Sequence, residues 1–299
     1  MKRKAVIDIG TNSVRLIIAD VDRYNISPCY KDIKTTRIGQ GLSHTKKLSD
    51  GPMQRTIYAL KEFLDIVDEN NVSDIRLIAT SAVRDALNRD VFLNRVKDEL
   101  GFDIEVLSGK QEAYLEFAGG TLDWKTFEGT IVLIDVGGGS TEVMSGYKGE
   151  LLNVHSTDLG AVRLMEMFPL DHPINEYQWF KMGSFIRDTL KNIVNIKKGD
   201  LLIGTGGTIT TLAAIHQGLE EYASARVHGH EMTLADIKSI LSDLYNLSPS
   251  QRRHVKGLQP SRSDIILAGI NIVICVMERL KIDRLRVSDR DILEGALMI

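Results

Sequence analysis

The sequence predicts an α/β protein of two lobes, and three observations carry that prediction. Apolar runs alternate with stretches of helical spacing along 299 residues, of which 43% are hydrophobic and 26% charged. A chain of this size and composition buries a sizeable core and ordinarily divides into two domains. A short pattern occurs twice, as Asp8-Ile9-Gly10-Thr11-Asn12-Ser13 and as Asp135-Val136-Gly137-Gly138-Gly139-Ser140. Each copy follows an apolar run, Ala5-Val6-Ile7 or Ile131-Val132-Leu133-Ile134, and reads as a buried strand ending in a turn. The two copies are a domain-sized interval apart, so the duplication is of a whole lobe rather than of a short repeat. A third loop, Gly204-Thr205-Gly206-Gly207-Thr208, follows the apolar run Leu201-Leu202-Ile203 and precedes a helical pattern.

A single Asp-x-Gly after a strand is an ordinary tight turn. Its repetition points instead to a strand that hands an anion to a loop. Glycine permits positive φ and close approach, so successive N–H groups can converge on a phosphate oxygen while the Asp and the hydroxyl stand near a hydrated cation. Strand, glycine loop and helix N-terminus in the third segment favour the same ligand. None of the loops has the Gly-Lys-Ser/Thr of a P-loop or the Gly-x-Gly-x-x-Gly of a dinucleotide fold. The expectation is a phosphate held between two lobes, with the boundary near Gly119-Gly120 as a hinge.

In order, residues 4–9, 14–21 and a segment near 26–38 read as strands, the first two pairing as a hairpin around the Asp8 loop. A helix follows with Met53, Ile57, Leu60, Phe63, Leu64 and Val67 at helical spacing and Pro52 near its start. A strand Arg76 to Ala79 leads into Thr80-Ser81-Ala82-Val83-Arg84-Asp85, and a helix carries Leu87, Val91, Val96 and Leu100. A strand Ile104 to Leu107 meets Ser108, whose side chain suits an N-cap, which puts Glu112 in or just past the first turn of the next helix. That position admits two readings: complementarity to the helix dipole, or a carboxylate at the end of a sheet facing a ligand. The second lobe has strands from Thr130, Thr141 and Leu151, a helix from about Asn175 to Ile196, the glycine loop, helices from Thr233 and Ser263, a strand Arg284 to Val287 and a final helix from about Asp291. The first lobe spans residues 1–120, with the final helix (about 288–299) packing on it, and the second spans 121–287.

Composition narrows the class further. The basic start Met1-Lys2-Arg3-Lys4 precedes an apolar run too short for a signal peptide, and no apolar stretch reaches the roughly 18 residues of a membrane helix. The stretch Ile265 to Met277 reads as a buried helix. Cys29 and Cys275 are the only cysteines and read as reduced packing residues. A net charge of −3 argues against a nucleic-acid surface. The expectation is a soluble cytoplasmic protein with neither nucleic-acid nor membrane partners.

Eight segments, VIDIGTNSVRLIIAD, ATSAVRDA, LSGKQEA, LIDVGGGSTEV, DLGAVRLME, GTGGTITTLAA, SRSDIILAG and VSDRDILEGAL, resemble the exopolyphosphatase/guanosine pentaphosphate phosphohydrolase (Ppx/GppA) family over residues 4–299 and in its order. The resemblance implies two ribonuclease H-like lobes of the actin-like ATPase superfamily around a central cleft. It makes Glu112 the general base that activates water and Arg84 a catalytic arginine, a guanidinium being able to bind phosphate in two-pronged fashion. It places Asp8, Asp135 and Glu142 at Mg2+, which takes oxygen ligands and needs only one or two carboxylates beside substrate oxygens. Gly137, Gly138, Gly139 and Ser140 would bind the terminal phosphoryl group, together with Thr11, Asn12, Ser13, Arg15, Gly206, Gly207 and Thr208. For Arg15, Arg163 and Arg262, an ion pair is an equal alternative.

His228 and His230 have the look of a metal pair without the rest of a ligand set and read as structural. Asp291 stands where family members often have glycine. The implied reaction is release of orthophosphate from inorganic polyphosphate, on shorter chains because the helical domains of larger members have no counterpart here. Removal of the 5′ phosphate from guanosine pentaphosphate is the alternative, as is a non-catalytic actin-like sensor of nucleotide or of guanosine penta- or tetraphosphate. A small-molecule kinase lacks an acceptor-site signature, and a homodimer is implied by resemblance.

Overall fold

The computed structural model describes residues 1–22, 25–193 and 200–298. The chain forms two compact units, one of Met1–Gly119 with Ile292–Ile299 and one of Gly120–Asp291. No helix among the described residues is long and apolar enough to cross a membrane.

The first unit carries a sheet in the order β3-β2-β1-β4-β5, formed by β1 (Lys2–Ile9), β2 (Ser13–Val21), β3 (Ile26–Thr35), β4 (Asp74–Ala79) and β5 (Glu105–Val106). β1 to β3 form an antiparallel meander, and β4 and β5 run parallel to β1. The central position of β1 explains its unbroken apolar run: Ala5 to Ile9 are all buried, as in a strand covered on both faces. The Asp50–Glu69 helix lays Met53, Ile57, Leu60, Phe63 and Val67 into this core at the spacing of one helix face. The Ile292–Met298 helix returns to the same unit. Its Ile292 N–H donates to Glu116 Oε2 at 3.0 Å, and Lys4 Nζ and Arg76 Nη1 donate to its Leu297 and Ala296 carbonyls. Gly295 lies so close to Leu115 that a Cβ would collide with the Leu115 carbonyl.

The second unit repeats the plan. Its sheet runs β10-β11-β9-β6-β7-β8, from β6 (Thr130–Val136), β7 (Thr141–Tyr147), β8 (Glu150–Thr157), β9 (Leu201–Thr205), β10 (Glu231–Thr233) and β11 (Arg284–Val287). The series β8-β7-β6-β9-β11 matches β3-β2-β1-β4-β5 strand for strand, with β10 added antiparallel at the far edge. This order, a three-stranded meander followed by parallel strands, is a ribonuclease H-like arrangement, present twice. The Ile266–Leu280 helix is buried along nearly its whole length, as its apolar sequence requires.

Several sequence expectations are corrected. The third strand ends at Thr35, and the strand expected over 104–107 shrinks to Glu105–Val106. Leu87 precedes its helix and is exposed, as is Val91. Asn88 bonds both ways to the Leu48 backbone, so the helix starts at Arg89 and its buried positions fall on Phe92 and Val96. The helix expected from Ser263 starts at Ile266, because the Ser263 hydroxyl closes the preceding Pro260–Arg262 turn. The helix expected to reach Ile196 ends at Thr189 and continues as a 3-10 turn over Leu190–Asn192; Ile196 lies outside the described residues. Cys29 is exposed on an edge strand rather than packed, whereas Cys275 is buried; both are free thiols.

Candidate active site

In the first unit, a strand end, a turn and a helix start bring the predicted groups into view. Asp8 is the penultimate residue of β1 and is 2% exposed. It stands directly opposite Arg15 on β2, whose Nη2 and Nε donate to Asp8 Oδ2 at 2.6 and 3.0 Å. Arg15 is thus an ion-pair partner within its own unit. The intervening turn is closed by Gly10 N–H donating to Ser13 O at 3.0 Å, while the Asn12 carbonyl accepts from the N–H groups of Thr36 and Arg37. Thr11 Oγ1 lies 3.1 Å from Ser81 Oγ, at the start of the Ser81–Arg84 helix that follows β4.

Glu112 sits in the first turn of the Gly109–Gly120 helix. The start of that helix is fixed by a reciprocal cap: Ser108 Oγ accepts from Gln111 N–H, and Gln111 Oε1 accepts from Ser108 N–H. Glu112 Oε2 accepts from Arg84 Nη1, which also donates to the Leu107 carbonyl at 3.1 Å. Arg84 Nε lies 3.3 Å from Asp85 Oδ1. Burial pushes the Glu112 carboxyl above the ordinary carboxylate range; the Arg84 hydrogen bond and charge oppose the rise, and the negative charges of Asp8 and Asp85 add to it. Burial works against the Arg84 cation, yet the contact with Glu112 prevails and holds its pKa above the ordinary arginine value. A carboxylate with a raised proton affinity, oriented by a fixed guanidinium, is suited to take a proton from water.

The second unit builds the same turn with different chemistry. Gly137 N–H donates to Ser140 O at 3.0 Å, the counterpart of the Gly10 and Ser13 bond. Asp135 stands opposite Glu142 across β6 and β7, so the place that holds arginine in the first unit holds a second carboxylate here. Ser156 Oγ donates to Glu142 Oε1 at 2.7 Å. Behind the turn, the Gly137 and Gly138 carbonyls accept from Ala161, Val162 and Arg163 N–H at the start of the Ala161–Met167 helix. Arg163 also pairs through its side chain with Asp158.

The third glycine loop joins β9 to the Gly207–His216 helix. Gly206 has φ 85, and a Cβ there would collide with Asp135 Oδ1, so conformation and close approach both require glycine. Gly10 and Gly137 do not have positive φ, contrary to expectation; a Cβ at either would instead crowd the carbonyl of Ser13 or Ser140. The Arg262 guanidinium lies against Gly207, and its Nε donates to Gln259 Oε1 at 3.2 Å. Thr208 is buried in the first turn.

His228 and His230 take separate partners. His228 Nδ1 accepts from Asp289 N–H, its Nε2 lies 2.9 Å from Asp123 Oδ2, and its ring packs on Trp124. His230 Nε2 lies 2.9 Å from His216 Nδ1.

Among the described residues, no group of three or more His, Cys, Asp or Glu side chains gathers to hold a metal. The Asp135 and Glu142 pair is all-oxygen and acidic, which fits a hard divalent cation that takes its remaining ligands from water and phosphate. Sequence reasoning missed Ser81, Ser156 and the Ala161–Met167 helix. Ser81 and the helix lie inside matched segments, but Ser156 has no local signal, since only the pairing of β7 with β8 brings it to Glu142.

The family model described as the Ppx/GppA phosphatase family matches residues 3–298. "Exopolyphosphatase 2" of Mycobacterium tuberculosis is 32% identical, with 99% of this chain and 97% of the relative covered. A "Bifunctional 3-dehydroquinate synthase/phosphatase" of Fusobacterium nucleatum is 33% identical over 99% of this chain, which spans only 46% of that relative's length. The crystal structure of the Aquifex aeolicus Ppx/GppA family member superposes with a TM-score of 0.87 at 33% identity, covering 99% of this chain and 96% of that one. Duplicated sheet, duplicated turn and whole-length similarity agree: this chain belongs to the Ppx/GppA phosphatase family.

Proposed function

We propose that the chain is a phosphoanhydride hydrolase that removes the terminal phosphate of inorganic polyphosphate. The observation that carries this reading is the half-buried Glu112 carboxylate, capped into position by its helix start, bonded to Arg84 and raised in proton affinity by burial. Water attacks the terminal phosphorus, the anhydride P–O bond breaks, Glu112 accepts the proton, and orthophosphate and a shortened chain leave. Arg84 meets the charge of the phosphoryl oxygens while orienting Glu112. The N–H groups and hydroxyl of the 137–140 turn, the Thr11-Asn12-Ser13 turn and the Gly206-Gly207-Thr208 helix start bind phosphate oxygens. Asp135 and Glu142 would hold Mg2+; bound there, the ion would supply charge neutralisation.

Guanosine pentaphosphate presents the same triphosphate-like end and is the competing substrate. The test is phosphate release from medium-length polyphosphate, guanosine pentaphosphate and ATP, each with Mg2+ and with chelator, by wild type and Glu112→Gln. Polyphosphate turnover that disappears in Glu112→Gln while polyphosphate still binds is the expected result. Faster turnover of guanosine pentaphosphate would reassign the substrate, and unchanged turnover in the variant would remove Glu112 from the chemistry. Binding of nucleotide without turnover of any substrate would make the chain a sensor.

A further inference from the structure

We propose that Ser156 is a positioning residue that sets the orientation of Glu142 for divalent-cation binding; the proposal rests on the reading of Asp135 and Glu142 as the cation's ligands. Thr205, Asp135, Glu142 and Ser156 occupy one register row across β9, β6, β7 and β8. Residues directly opposite one another in such a row project from the same face, with Cβ atoms roughly 4.5–5.5 Å apart. Glu142 therefore stands between Asp135 on one side and Ser156 on the other.

Two carboxylates facing one another across a strand pair repel, and a flexible glutamate left to itself relieves this by swinging away. The Ser156 hydroxyl prevents that by donating to Glu142 Oε1 at 2.7 Å, which anchors one oxygen and sets the plane of the other. The first unit shows what the same frame does where repulsion is absent. Its corresponding row reads Ile78, Asp8, Arg15 and Ile33. There the aspartate is neutralised in place by arginine, and an apolar residue stands where Ser156 stands in the second unit. The serine hydroxyl accompanies the acidic pair and not the ion pair.

A purely structural role explains this poorly. Ser156 is exposed on the edge strand of the sheet, where a hydrogen bond adds little to folding. Outer partners that orient a ligating carboxylate, by contrast, strongly affect metal affinity.

The test is Mn2+ binding to the full chain without substrate, by titration calorimetry, for wild type, Ser156→Ala, Ser156→Thr and Glu142→Gln. Ser156→Ala is expected to weaken Mn2+ binding roughly tenfold, the low end of the effect of removing an outer partner. Ser156→Thr, which keeps the hydroxyl, is expected to restore most of that loss. The Mg2+ concentration for half-maximal phosphate release should rise by the same factor in Ser156→Ala, with kcat at saturating Mg2+ and the metal-free melting temperature near wild type. Wild-type Mn2+ affinity in Ser156→Ala, with Glu142→Gln impaired, overturns the positioning role and leaves the ligand reading intact. Wild-type affinity in Glu142→Gln overturns the ligand reading itself. Equal loss in Ser156→Ala and Ser156→Thr shows that the hydroxyl is not what acts and also overturns the proposal.

Discussion

Replacing Arg84 with methionine separates its two proposed tasks, because one changes the height of the pH–rate profile and the other its position. In the wild type, burial favours protonated Glu112 while the Arg84 hydrogen bond and charge favour the ionised form. Both side chains are 27% exposed, so their contact is partly screened by solvent. A hydrogen bond to a charged group contributes about 1.5–3 kcal/mol. With tenfold in an equilibrium per about 1.36 kcal/mol, the lower end of that range means that Arg84→Met reduces the ionised fraction of Glu112 about tenfold on the acid side of its titration. A general base works only when ionised, so the acid limb of kcat/KM must move to higher pH.

The assay is phosphate release from short polyphosphate across pH at saturating Mg2+, with the titration of Glu112 followed in parallel by carboxyl carbon NMR in the substrate-free protein. A lowered plateau alone reports loss of phosphate contact. An acid limb that stays in place, or moves to lower pH, refutes the argument that Arg84 holds Glu112 ionised.

The same titration bears on stability. The folded pKa of Glu112 lies above its unfolded value, so its contribution is present in full below the unfolded pKa and is lost as pH rises through the folded one. Denaturant midpoints should therefore fall less steeply with rising pH above about 4.5 in Glu112→Gln than in wild type; parallel slopes would contradict this. Arg15→Met leaves the buried Asp8 carboxylate without the guanidinium it bonds, and is expected to destabilise the fold by about 3 kcal/mol, read from urea unfolding. Gly206→Ala forces a side chain onto positive φ and into Asp135, costing about 1–3 kcal/mol and lowering phosphate affinity; an unchanged melting temperature would contradict the conformation described.

What the sequence made legible was local. Gly10 and Ser13 keep the same spacing as Gly137 and Ser140, and each pair closes the same hydrogen bond. Glu112 could be placed in a first turn because Ser108 announces a helix start three residues before Gln111. The rest depends on strand register, which brings together residues far apart in sequence. Nothing in the two copies of the motif says that Asp8 faces an arginine while Asp135 faces a glutamate, because that follows only when each hairpin is laid in register. Ser156 and the exposure of Cys29 on an edge strand were hidden for the same reason. Leu87 misled because apolar character at helical spacing says nothing of the Asn88 bonds that delay the helix.

The return of the Ile292–Met298 helix to the first unit has a consequence for biosynthesis. The second unit is one continuous stretch of chain, whereas the first is interrupted by it. Strands β1 and β2 leave the ribosome early, yet the helix whose Glu294 pairs with Lys31, and whose Gly295 nests against Leu115, arrives only after the whole second unit has been made. The later-synthesised body can therefore mature before the earlier one, and an expressed fragment of residues 1–119 would present an unfilled seat of buried apolar and charged groups. Any exchange of lobes between relatives has to carry both pieces of the first unit together.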